Sequence, residues 1–127
     1  MRDVLLIGFG GFLGAVLRYG LSGAVHSLTG SFEYPLGTLA VNAIGSFLLV
    51  FLASVAETLG IFGPAFRAFA FMGLLGAFTT FSTFSFETTV LLADGRIGLA
   101  LGNVVANVAL CLVAALVARG LVLWIWR

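Results

Sequence analysis

Four long apolar runs, at about 4–25, 36–59, 65–92 and 97–125, are separated only by short polar turns. An α-helix needs about 20 apolar residues to cross the hydrocarbon core of a bilayer. Backbone at that depth has no water to bond, so such a run must satisfy its own N–H and C=O groups as a helix. Charge makes the same point. Only 9% of the residues are charged and 61% are hydrophobic, whereas a soluble domain carries roughly a quarter charged residues. The runs take up nearly all of the 127 residues. The chain reads as an all-α membrane protein, one domain over 1–127, with four transmembrane helices and no extramembrane domain.

Several function classes fall away at once. The formal net charge is +1, and all six basic residues are arginines scattered along the chain. That leaves no basic cluster to hold nucleic acid or acidic headgroups. There is no Ser-His-Asp set, no metal-ligand spacing of His or Cys and no phosphate loop, so no enzyme is expected. The lone Cys111 has no partner for an internal disulfide and reads as a small apolar filler. Arg2-Asp3 is a poor signal-peptide start, and the first run is expected to stay as a span.

In the first run Gly8, Gly11 and Gly14 recur every third residue, and Ala15 and Arg18 continue that face. Gly10 and Gly14 also form a G-x-x-x-G, the spacing that lets helices approach closely in lipid. Arg18 lies well inside the run. It either faces protein or a water-filled cavity, or snorkels to the interface beside Tyr19. His26, Ser27, Thr29, Gly30, Ser31 and Glu33 read as a polar loop, with His26 solvated. Pro35 opens the second run. There Thr38, Asn42, Gly45 and Ser46 share one face. Asn42 at membrane depth must find partners, either as interhelical glue or lining a pore. Glu57 is expected at the interface.

The third run carries the least ordinary stretch, Gly73 to Glu87. Thr79, Thr80, Ser82, Thr83 and Ser85 interleave with Phe78, Phe81, Phe84 and Phe86. Gly73 and Gly76 precede the threonines and weaken a helix. Either the helix continues, with Thr and Ser bonding back to i−4 carbonyls, or it breaks. Two halves of a dozen residues are each too short to span, and a break at depth is tolerated only where freed backbone lines a cavity or binds something. Beyond it, Phe81, Phe84 and Thr88 share a face, and Thr80, Thr83 and Glu87 the neighbouring one. In the fourth run Gly98 and Gly102 give a second close-packing pair. Asn103, Asn107 and Cys111 make a polar stripe, and Trp124, Trp126 and Arg127 an interfacial belt.

Four spans put both termini on one side, with Arg2, Arg67 and Arg127. Arg96 and Arg18 belong to the other. So weak a positive-inside bias allows insertion in both orientations. The polar inventory at depth consists of neutral donors: the hydroxyls of the third run, Ser82 and Thr83 among them, then Thr38, Asn42 and Ser46, and Asn103 and Asn107, with Glu87 the one carboxylate nearby. Four helices enclose little, so an oligomer is expected. Such donors could replace the water shell of a small anion. Phe81 and Phe84 could meet it with their positive ring edges, without a deep cation that would bind too tightly to conduct. Carbonyls freed at a break suit a hard cation such as Na⁺.

Three motifs carry a family resemblance. They are G-F-L-G-A-V-L-R-Y (Gly11 to Tyr19), G-T-L-A-V-N-A-I-G-S-F (Gly37 to Phe47) and G-A-F-T-T-F-S-T-F-S-F-E (Gly76 to Glu87). Together they resemble the Fluc/CrcB fluoride channels over essentially the whole chain. The resemblance implies an antiparallel, dual-topology homodimer with two fluoride pores, multi-pass in a bacterial-type inner membrane. It implies a third helix broken near mid-membrane and a structural Na⁺ at the dimer centre, held at that break by the backbone carbonyls of Gly76 and Thr79, two from each subunit. Its pore phenylalanines match Phe81 and Phe84, its pore asparagine Asn42, its vestibule arginine Arg18 and its acidic residue Glu87. Asn103, Asn107 and Cys111 depart from relatives that place Tyr, then Ser, there. Two rival readings stand beside it. A small proton-coupled multidrug antiporter would want a buried Glu in the first run, where this chain has glycines, alanines and Arg18. A non-transporting membrane subunit would use the polar residues as glue alone and carry no ion flux.

Overall fold

The computed structural model describes residues 1–30 and 33–126. Ser31 of the expected loop and Arg127 of the expected belt lie outside the described residues. Five helical stretches make four membrane-length spans: α1 Arg2–Thr29, α2 Leu36–Leu59, α3 over 64–78, α4 Phe81–Ala93 and α5 Ile97–Ile125. Among the described residues there is no strand. The second run has the bounds its sequence predicts.

α1 runs past its expected end. Ser27 and Thr29 donate their hydroxyls to the carbonyls of Ala24 and Val25, at 2.9 and 2.8 Å, which lets polar residues stay helical. Gly30 then stops the helix in a left-handed conformation, φ 59°, its N–H on the His26 carbonyl. His26 is therefore a residue of the last helical turns and not of a loop. It is half-buried, with Nδ1 at 2.8 Å from the Ser22 carbonyl.

α1 packs chiefly on α3, α2 on α5, and α4 on α5. The α1–α3 seam is backbone against backbone. A Cβ on Gly10 would run into the Phe69 carbonyl oxygen and stand 2.9 Å from the Leu74 nitrogen; one on Gly14 would run into the Leu74 carbonyl oxygen. From the other side, a Cβ on Gly73 would stand 2.7 Å from the Ile7 carbonyl oxygen. The G-x-x-x-G pair thus makes the contact. Of the three-residue repeat, Gly14 belongs to this contact and Gly11 lies beside it, but Gly8 is exposed, with open space around its Cβ position. Gly98 and Gly102 likewise pack against no helix of this chain.

The third span is broken, but not at its glycines. Gly76 is helical, φ −64° and ψ −36°. The backbone widens into a π-helical stretch over Ala68–Leu75, facing α1, and closes with Gly76–Phe78. The break falls on Thr79 and Thr80, both extended, with ψ 154° and 109°. The Thr79 N–H and hydroxyl both bond the Leu75 carbonyl, each at 3.1 Å, and end α3. Thr80 opens α4 as its N-cap, its Oγ1 accepting from the Thr83 N–H at 3.2 Å. Two consecutive threonines supply both a stop and a start, and the glycines serve packing.

Candidate functional site

The break is held from outside by one side chain. Asn42, on the polar face of α2, accepts the Thr80 N–H on its Oδ1 at 2.8 Å and donates its Nδ2 to the Thr80 carbonyl at 3.3 Å. The amide pairs with Thr80 as a neighbouring strand would: it replaces the acceptor that the Thr80 N–H gave up and adds a donor to the N-cap carbonyl. Gly45, one turn along α2, brings the helices this close: a Cβ there would collide with the Thr79 methyl and stand 3.0 Å from the Phe78 ring.

This arrangement diverts two helical donors. In a continuous helix the Thr80 N–H would bond the Gly76 carbonyl, and the Thr83 N–H would bond that of Thr79. Here the first goes to Asn42 and the second to the Thr80 hydroxyl. The carbonyls of Gly76 and Thr79 thereby lose their i+4 donors. Gly76 is exposed on the chain's surface.

Two open grooves meet at the break, with Thr80 common to both. The first, about 400 Å³, is lined by Asn42, Ser46, Thr79, Phe81, Phe84 and Asn107, with Cys111 further along α5. The Phe81 and Phe84 rings stand 5.3 Å apart and tilted by 54°. Phe84 is buried at 8% exposure, whereas Phe81 projects at 78%. The second groove, about 520 Å³, is lined by Arg18, Ser22, His26, Thr38 and Thr83 among others. Arg18 is half-buried, and among the described residues it makes no ion pair.

A smaller groove of about 250 Å³ brings Glu87 together with His26, Glu33, Tyr34, Asp94 and Arg96 at the far end of α4. The Thr38 hydroxyl donates to Glu87 Oε1 at 2.6 Å, while Oε2 is buried without a partner among the described residues. Arg96 closes the rim on Glu33 at 2.9 Å. Burial raises the Tyr34 phenol above its ordinary range, so it stays a neutral donor.

The remaining expected residues fall as follows. Ser82 is exposed and touches the Thr80 hydroxyl at 3.3 Å. Asn107 is in the first groove, its Oδ1 accepting from Asn42 Nδ2 at 3.1 Å. Asn103 is fully buried at 0% exposure and lines none of the three grooves. Sequence reasoning passed over Thr80 as a site residue. Its hydroxyl lies 2.9 Å from that of Thr83 and it touches both grooves. The T-T pair was the available signal, since an N-cap threonine must precede the resumed helix. It also passed over Arg119, which reaches Glu57 at 3.5 Å.

The first groove joins amide and hydroxyl groups to aromatic edges, and the second adds the Arg18 guanidinium. The arrangement suits transient desolvation of a small anion.

A family model described as CrcB-like protein, Camphor Resistance (CrcB), matches residues 5–119. Curated relatives named fluoride-specific ion channel FluC are similar along nearly their whole length. That of Methanocaldococcus jannaschii is 46% identical, covering 100% of this chain and 99% of its own. That of Methanosarcina acetivorans, FluC 1, is 50% identical over 85% of this chain and 81% of its own. That of Shewanella amazonensis is 46% identical over 96% and 97%.

Proposed function

This chain belongs to the CrcB family, and from that premise we propose that it passes fluoride passively across the membrane along the grooves that meet at the Thr79–Thr80 break. It is a multi-pass membrane channel and not an enzyme. The observation that carries the path is the groove where Asn42, Asn107 and the break stand beside the Phe81–Phe84 pair. Fluoride is small and strongly hydrated, so a path must offer several partners at once. Hydroxyls, and amides that exchange a bond to a neighbour for one to the ion, do so without the deep trap of a buried cation. Ring edges add positive potential at no desolvation cost.

Thr38, Thr83 and Arg18 line the second groove and serve as the other stretch of path, Arg18 drawing anions to its mouth. Ser82 lies at its edge, and Glu87 stands beyond Thr38. Each groove is open along its length. A second copy would wall both, which favours a homodimer with two paths. The weak arginine asymmetry favours an antiparallel, dual-topology pair in a bacterial-type inner membrane; reporter fusions reading a single orientation would argue against it. Where HF enters a cell from acid surroundings and dissociates, such a channel lets the trapped anion leave.

The donor set at the break also fits a structural sodium ion. The Gly76 and Thr79 carbonyls have lost their helical donors, and oxygen ligands of this kind suit a hard cation. Two such pairs, one from each copy, would hold it at the dimer centre and supply a positive anchor between the subunits. Removing Na⁺ from the purified protein is then expected to weaken dimerisation and flux together.

The test is fluoride efflux from liposomes holding the purified protein, with chloride alongside. Fluoride release far above chloride release is expected. No flux, or equal flux of both, overturns the reading.

A further inference from the structure

Asn42 offers two N–H donors and an acceptor oxygen, and all three are spoken for. Nδ2 donates to the Thr80 carbonyl and to Asn107 Oδ1, and Oδ1 accepts from the Thr80 N–H. From Asn107 the bonds continue in one direction. Asn107 Nδ2 donates to Asn103 Oδ1 at 2.9 Å and to the Asn103 carbonyl at 3.1 Å. Asn103 Nδ2 donates to Thr88 Oγ1 at 2.9 Å, and the Thr88 hydroxyl donates to the Phe84 carbonyl at 2.7 Å. Asn103 and Asn107 are 0% and 5% exposed.

The structure assigns Asn103 and Thr88 as positioning residues of the channel, through a one-way relay Asn42–Asn107–Asn103–Thr88 that ties the break to the backbone of Phe84. This rests on the fluoride-channel reading and adds a specific duty to two residues that line no groove. Each amide can present its oxygen to the residue before it only by turning its NH₂ toward the next. The Thr88 hydroxyl fixes the far end, because a backbone carbonyl can only accept. Orientation therefore passes back along α5 to Asn42, whose oxygen must face Thr80. A buried chain of this kind is cooperative and costly to leave half-made. It holds the break and the ring pair in register, since one end sits on Thr80 and the other on Phe84.

A relay with a direction should reject an acceptor at position 103 and accept a donor. Asn103→Asp keeps the shape. Ionised, its carboxylate cannot donate to Thr88; protonated, it can. The donor form returns as pH falls. Fluoride efflux from proteoliposomes, corrected for protein-free vesicles at each pH, is expected to fall about fivefold at alkaline pH, where the carboxyl is ionised, for a lost buried bond. It should recover in mild acid for Asn103→Asp alone, while wild type and Asn103→Leu show no such recovery. Thr88→Ser should conduct as wild type does, and Thr88→Val should lose flux as Asn103→Leu does. Wild-type flux in Asn103→Asp at alkaline pH, a loss there that acid does not reverse, or equal behaviour of the two Thr88 variants overturns the relay. The Thr88 pair decides alone if Asn103→Asp does not fold. Absence of fluoride flux from wild type would instead sink the channel reading itself.

Discussion

Two seams hold the two halves of the broken span, and they work by opposite means. α3 lies on α1 through Gly10, Gly14 and Gly73, backbone on backbone. The break and α4 are held by α2 and α5 through Asn42, Asn107, Asn103 and Thr88. In lipid neither seam draws on a hydrophobic drive, because the tails are as apolar as the side chains. The first seam substitutes close van der Waals contact, and the second directional bonds. The first should therefore be intolerant of size and indifferent to chemistry. The second should be intolerant of lost donors and more forgiving of small changes in volume.

The largest effect expected is at the glycine seam. Gly14→Val would drive branched carbon atoms into the Leu74 carbonyl, which belongs to backbone and cannot rotate away. Overpacking costs about 1–3 kcal/mol and more where nothing can shift, so loss of folded protein on size-exclusion chromatography is expected. Gly8→Ala is the control. With open space at its Cβ, it should be neutral or stabilising, by up to about 1 kcal/mol from helix propensity. Equal damage from both would mean that close approach is not what Gly14 provides.

Next comes the polar seam. Asn42→Leu keeps the volume roughly and deletes every bond to Thr80 and Asn107. Thr80 is 7% exposed, and a buried peptide group left unpaired costs about 1–3 kcal/mol. A lowered thermal midpoint and loss of fluoride flux are expected together. Stability that falls while flux holds would separate the clasp from the path and place the anion elsewhere.

The contrast between the seams also explains what could be read in advance. The four spans were legible because bilayer thickness imposes length and apolarity on any crossing helix, and the second span matches residue for residue. The G-x-x-x-G was legible as a spacing. Choosing it over the every-third-residue glycines needs to know where α3 lies, which no local pattern states. The break was legible as a tendency, but glycine's weak helix propensity pointed to Gly76, which remains helical. What decides its place is tertiary: Asn42 takes the Thr80 N–H from 38 residues away in the chain. Asn103 and Asn107 were legible as a stripe. Which of them meets a groove depends on how α5 turns against α2 and α4, and that put Asn107 at the wall and Asn103 behind it.

A smaller, more selective effect separates the two rings. Phe81 is 78% exposed in one chain, so Phe81→Ile should leave stability nearly unchanged. Phe84, at 8%, should lose up to a few kcal/mol when truncated. Both substitutions remove a ring edge from the groove and are expected to lower fluoride flux several-fold. Because Phe81 carries no packing burden in the single chain, its flux is the cleaner measurement. Wild-type efflux in Phe81→Ile and Phe84→Ile alike would take the rings out of the mechanism.

The smallest effect belongs to neither seam. Glu57 and Arg119 join α2 to α5 at the end of the molecule that carries the termini, 3.5 Å apart and 72% and 54% exposed. Such a pair contributes about 0–1 kcal/mol and is screened by salt. It joins the same two helices as the buried amides, which makes it a useful gauge of them. Glu57→Gln should leave flux at the wild-type level and shift the thermal midpoint little, and the shift should vanish at high salt. Asn42→Leu, acting between the same helices at depth, should show the same large loss at any salt. If instead Glu57→Gln destabilised the protein as strongly as Asn42→Leu, the α2–α5 contact would be governed by its wet end. The buried amides would then be passengers in a bundle that the rim holds together.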